Sequence, residues 1–174
     1  MRLLVFLLFC FCSLSVAAVP SAYVKIAKQY QINPHVLYAV ARAESTRPRY
    51  PHPWPWTANI NGKGYYFKSR DGLYRALKKQ ILLGRRNFDV GIMQISWKYN
   101  AHLFDGDLWS ATDPYTNIAA GALHLNHLLS KHKSYARAIG LYHTGSTNTS
   151  ARKARADRYT RRVFAYLGDE GKRS

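Results

Sequence analysis

The sequence predicts a mainly α fold (α+β) with one small β element, on three observations. Asn33, Ser69, Asp113 and Ser134 each stand immediately before an apolar pattern of helical spacing, and such residues cap helices by accepting from the first unpaired backbone N–H groups. One Asn-Gly turn, Asn61-Gly62, lies between two short runs with aromatic and β-branched residues, the pattern of a hairpin. The 174 residues hold no internal repeat and no linker long enough to separate domains, so one domain is expected.

At the N-terminus, Met1 and Arg2 lead into an apolar run over 3–14, followed by Ser15, Val16, Ala17 and Ala18. This is the pattern of a secretory signal peptide, expected over 1–18 with cleavage after Ala18. The run is shorter than the ~20 residues a spanning helix needs, so no stable membrane anchor is expected after processing. Both cysteines, Cys10 and Cys12, lie inside it. The expected domain, 19–174, therefore has no thiol for a disulfide, a zinc site or a nucleophile. A short helix over 21–29 precedes one over 36–44, which Asn33 caps and Pro34 opens. From Arg47 prolines and aromatics replace the helical period, which predicts a loop. Strands over 56–60 and 65–68 flank a turn over 61–64. Ser69 opens a helix with Leu73, Leu77 and Ile81 on one face, ending at Gly84. The passage 89–97 reads as extended or loop. Asp113 and Pro114 introduce a helix with Ile118, Ala122, Leu125 and Leu129 on its apolar face. Ser134 opens a short helix through residue 141, 144–150 is a polar loop, and 151–167 carries Tyr159, Val163, Tyr166 and Leu167 on one face.

Lys and Arg number 26 against 9 Asp and Glu, a formal charge of +17, which points to an anionic partner. In the last helix Arg152, Lys153, Arg155, Arg158, Arg161 and Arg162 lie opposite the apolar stripe. Export makes nucleic acid an unexpected target. The scarce carboxylates are individually readable: Asp113 caps a helix, Asp71 sits in a first turn, and Asp169 and Glu170 lie in a polar tail. Glu44 differs, because it follows Val40 by four residues and Leu37 by seven and so falls on an apolar helix face. A carboxylic acid in such a place suits general-acid work on a glycosidic bond, whose leaving oxygen needs a proton. Position alone leaves the other reading open, a glutamate turning outward at a helix end. His124, His127 and His132 read as a solvated helix face, with no carboxylate or cysteine to complete a metal site.

Four segments, 39–45 (AVARAES), 89–96 (DVGIMQIS), 117–123 (NIAAGAL) and 138–145 (AIGLYHTG), resemble in order the motifs of the family 1, SLT-domain lytic transglycosylases that cleave bacterial peptidoglycan. The resemblance spans about residues 23–167. It implies a lysozyme-like helical domain with a glycan groove, no cofactor and no metal. It implies Glu44 as the single catalytic acid and base, cutting between N-acetylmuramic acid and N-acetylglucosamine to leave 1,6-anhydro ends. Ser45 is expected to support Glu44, and Gly91, Met93 and Gln94 to line the groove, although core packing is an equal reading of Met93. Tyr142 matches a tyrosine expected to hydrogen-bond the catalytic carboxyl, and His143 stands where the family usually has Asn. Asp89 is expected to orient substrate, but its segment also resembles that of animal lysozymes. A hydrolytic muramidase using Glu44 and Asp89 is therefore one alternative, and a non-catalytic cell-wall-binding component another.

The stretch 51–86 is longer than the usual spacing and is similar to the aromatic-hairpin variant of enzymes from integrating conjugative elements. Trp54 and Trp56 there are candidates for sugar stacking, or for a small satellite core. The resemblance places the protein in the periplasm, opening the wall locally for a conjugation or secretion apparatus whose components would be its partners beside peptidoglycan.

Overall fold

The computed structural model describes residues 18–171, so the expected signal segment, apart from Ala18, lies outside the described residues. Helix α2 (Pro34–Ser45) runs through the core, with nine of its twelve residues buried. Asn33 caps it as expected, accepting from the His35 N–H at 2.9 Å. Its alanines Ala39, Ala41 and Ala43 let neighbouring elements approach closely. Helix α1 (Ser21–Gln29) packs on α2 and on α6 (Pro114–His132); α8 (Ser150–Gly171) covers α2 and α7 (Tyr135–Thr144). The other three caps form too: Ser69 accepts from Gly72 to open α3 (Arg70–Leu82), Asp113 from Thr116, and Ser134 from Arg137. Helix α7 runs to Thr144, beyond the expected residue 141, and stops at Gly145 in a left-handed conformation, φ 67°.

The β element is larger than the sequence predicts. Strands β1 (Thr57–Ile60) and β2 (Lys63–Tyr66) form the expected hairpin, but the turn is the two residues Asn61 and Gly62, φ 52° and 84°. The second strand therefore starts at Lys63 rather than at residue 65. The passage after Asn87 supplies β3 (Phe88–Val90) and β4 (Ile95–Ser96), giving an antiparallel sheet in the order β2-β1-β3-β4. Strands of three and two residues are too short to show a period of two. Between β4 and α6 lie two further short helices, α4 (Trp97–Asn100) and α5 (Leu108–Ala111), separated by a 3-10 turn over Ala101–Phe104.

The register of the sheet sets up one polar row. Asn59 pairs with Asp89, and Asp89 with Ser96, so the three stand in line across the sheet and share a face. The fold is 62% helical with this one small sheet, a mainly α, lysozyme-like domain. Among the described residues no helix is long and apolar enough to cross a membrane.

Candidate active site

The polar row of the sheet faces the C-terminal end of α2 across a cleft of about 300 Å³. Glu44 and Ala43 come from α2, Asn59, Asp89 and Ser96 from the sheet, Gln94 from the β3–β4 turn, and Tyr142 and His143 from α7. Arg162 of α8 closes one end. The Glu44 side chain is only 11% exposed. His143 Nδ1 lies 3.9 Å from Glu44 Oε1, beyond hydrogen-bond distance. Its ring is stacked on Tyr159 at 4.4 Å between centroids, with planes 2° apart.

Two buried phenols and one carboxyl surround Glu44. The Tyr159 hydroxyl is buried beside the Glu44 carboxyl, the acceptor within its reach. Burial, and next the charge of Glu44 beside it, hold this phenol protonated, well above the usual tyrosine range. A protonated phenol next to a carboxylate is a ready donor for it. Tyr142 is held protonated in the same way, by burial and then by the charges of Glu44 and Asp89. Asp89 is pushed up from 3.8 to about 6, chiefly by burial and then by the charge of Glu44, while Ser96 and His143 act in the opposite sense. Two carboxyl groups in one partly desolvated cleft resist being ionised together.

Glu44 is held in register with the sheet by a dense set of bonds around the β3–β4 turn. The Ser45 hydroxyl lies 2.7 Å from the Ile92 carbonyl and 3.0 Å from that of Ala41, tying the end of α2 to the turn. Gly91 has φ 79°, and a Cβ there would fall 2.5 Å from Cγ and Nδ2 of Asn117. The fully buried Asn117 needs that space: it accepts from the Met93 N–H at 2.8 Å and donates to the carbonyls of Val90 and Ala111 at 3.0 Å each. Gln94 sits at φ 47° and donates from Nε2 to the Gly91 carbonyl at 2.8 Å.

A family model described as the transglycosylase SLT domain matches residues 21–164. The chain belongs to the SLT-domain family. Comparison with curated proteins and with solved structures gives no match. Family membership makes peptidoglycan the substrate and transglycosylation the activity that the fold supports.

Of the residues expected in this SLT domain's groove, Glu44, Asp89, Gln94, Tyr142 and His143 line the cleft, and Ser45 and Gly91 shape it from behind. The structure decides the alternative left open for Met93, corrects the expected partner of Tyr142, and places Trp54 and Trp56 outside the cleft. Met93 is fully buried against Gly121 of α6, where any Cβ would fall 2.7 Å from Met93 Cε. Its side chain is core, and its backbone carries the local bonds. The Tyr142 hydroxyl donates to the Met93 carbonyl at 2.9 Å, not to Glu44. Trp54 and Trp56 line no part of the cleft. The Trp54 indole donates to the Phe67 carbonyl at 2.8 Å and packs edge-on against Tyr50 and Trp56, forming a small aromatic cluster beside the sheet.

The SLT cleft also uses residues that sequence reasoning missed. His124 lies against Tyr142, 5.2 Å between rings, and lines the cleft rather than a solvated face. Burial holds its imidazole below the usual histidine value. Among the described residues no group of three or more His, Cys, Asp or Glu side chains is placed to hold a metal. Tyr159 was legible only as part of an apolar stripe. Asn117 did leave a signal, because it shares its helix stripe with Gly121 and Leu125 at i, i+4 and i+8, and a polar side chain there demands buried partners.

Proposed function

We propose that the protein is an exported lytic transglycosylase in which Glu44 acts first as acid and then as base. The observation that carries this reading is the setting of Glu44: a nearly buried carboxyl at the floor of a polar cleft, beside the protonated phenol of Tyr159. Glu44 gives its proton to the oxygen linking N-acetylmuramic acid to N-acetylglucosamine as that bond breaks. It then takes the proton of the muramoyl C6 hydroxyl while the C6 oxygen bonds to C1. The product is a 1,6-anhydro ring, no water is consumed, and the carboxyl ends as it began. Positive charge developing at C1 is met by Asp89 in its ionised form. Clearing of purified cell walls followed by turbidity tests the reading. Wild type clears them and Glu44→Gln does not while keeping its far-UV circular dichroism; clearing by the variant overturns the role of Glu44, and no clearing by either protein points to a wall-binding component.

Asp89 supports a second reading, since it faces the same cleft as Glu44 and feels its charge. In a hydrolytic muramidase it would stabilise the intermediate while water attacks C1. The two readings differ by one water in the product.

The apolar N-terminal run supports export to the periplasm. The small single domain and the aromatic cluster around Trp54 support a role in opening the wall for a conjugation or secretion apparatus. Co-purification of the protein with components of such an apparatus from intact cells tests that assignment, and its absence there contradicts it.

A further inference from the structure

The C-terminal end of α3 carries apolar surface that the described fold leaves open. Leu82 is 78% exposed and Leu83 53%, and Leu82 is the most exposed large apolar side chain among the described residues. Ile81, just before them, turns the other way and packs against the core. The helix stops in a tight cap: Gly84, at φ 70°, donates from its N–H to the Ile81 carbonyl, and the Arg85 N–H donates to that of Gln80, at 2.9 Å each. A cap of this form is frequently closed by an apolar contact between its outermost residues. Here those residues are Gln80 and Arg85, and the leucines of the last turn stay uncovered.

Cations flank the pair on both sides. Lys78, Lys79, Arg85 and Arg86 are all exposed, no carboxylate stands between Asp71 and Asp89 in the sequence, and none of the four cations is in an ion pair among the described residues. The Asn61 N–H on the Asn87 carbonyl at 3.4 Å sets the β1–β2 turn beside this loop, and the exposed Lys63 follows that turn.

A single exposed leucine needs no explanation. Two adjacent ones between unpaired cations match what an anionic bilayer offers, phosphates at the level of the charged groups and hydrocarbon just beneath them. The long stems of Lys and Arg reach up to the phosphates while the leucines go deeper. We propose that the end of α3, residues 78–86, docks reversibly on an anionic phospholipid surface, with Leu82 and Leu83 entering the headgroup boundary. No described helix is long and apolar enough to span a membrane, so the contact is peripheral. Asp89, which lines the cleft, follows Arg86 by three residues, a reach of at most ~11 Å. Docking therefore brings the cleft close to the bilayer, whichever reaction the cleft performs.

Cosedimentation with vesicles tests this, using residues 19–174, which carry the entire core cluster. The protein should bind vesicles of phosphatidylethanolamine and phosphatidylglycerol about tenfold more tightly than vesicles of phosphatidylcholine. Leu82→Ser with Leu83→Ser keeps every charge and should bind the anionic vesicles about tenfold more weakly. Arg85→Gln with Arg86→Gln should lose about tenfold or more. Lys25→Gln with Lys28→Gln removes the same charge from exposed positions of α1 and should stay within about twofold of wild type. Residues 19–174 hold no cysteine, so a bimane label on Leu82→Cys reports insertion directly, by a blue shift of its emission on anionic vesicles. Absence of wild-type binding, a leucine variant that binds as wild type does, or an unshifted label overturns the proposal. So does an equal loss in the Lys25 and Lys28 variant, which would make net charge alone the cause.

Discussion

Gly91→Ala should be among the most damaging single changes in the protein, and its cost can be worked from two sources. The residue sits at φ 79°, and an L-residue in the left-handed region costs about 1–2 kcal/mol. The new Cβ would also stand 2.5 Å from Asn117, which has nowhere to go: it is fully buried and makes three hydrogen bonds. Pushing it aside strands buried backbone groups at about 1 kcal/mol each. The total is roughly 4–5 kcal/mol, a large part of the ~5–15 kcal/mol that holds a domain together. Equilibrium urea unfolding by circular dichroism measures it. Asn117→Ala alone should cost about 3 kcal/mol by losing the same bonds. In that background Gly91→Ala should cost only its backbone part, about 1–2 kcal/mol, because the clash is gone. Additive effects of the two changes, or a cost below about 1 kcal/mol for Gly91→Ala alone, would refute the account of how this turn is built.

The groups around Glu44 give two further expected outcomes. Tyr159→Phe removes a buried hydroxyl that lies beside the Glu44 carboxyl and keeps the ring stacked on His143. Stability should change by no more than about 1 kcal/mol, while wall clearing slows about tenfold with an altered pH profile, as expected for a lost donor to the general acid; an unchanged rate and profile would remove Tyr159 from the machinery. Asp89 keeps in the folded protein, up to about 6, a proton that the unfolded chain gives up near 3.8. Its contribution therefore lowers stability as pH rises through that window, by roughly 2–3 kcal/mol. Asp89→Asn should be more stable than wild type by about that amount near neutral pH and lose the advantage near pH ~4; a difference independent of pH in urea titrations would contradict the buried, Glu44-coupled setting.

The parts of the fold legible in the sequence are those decided within a few residues. Asn33, Ser69, Asp113 and Ser134 cap helices because a short polar side chain reaches the nearest backbone N–H groups, wherever the helix goes next. The Asn61-Gly62 turn is equally local. Strands β3 and β4 were not legible as strands, since their three and two residues are held by pairing with β1 and with each other rather than by any pattern of their own. The same division runs through the site. Glu44 and Asp89 announce themselves by type and position, but Asp89 reaches the cleft only through the row it shares with Asn59 and Ser96. Tyr159 and Tyr142 could not be told apart by spacing, because which phenol spends its proton on a carbonyl depends on where Met93 lies in three dimensions. Met93 looked equally fit for core or groove until Gly121 showed the space it fills.

Mass spectrometry of the muropeptides that the protein releases from purified sacculi, with Glu44→Gln alongside, tests the central claim most directly. Anhydromuramoyl ends that depend on Glu44 are the expected product. Reducing ends, one water heavier, would contradict the claim and move Asp89 to the centre of a hydrolytic reaction.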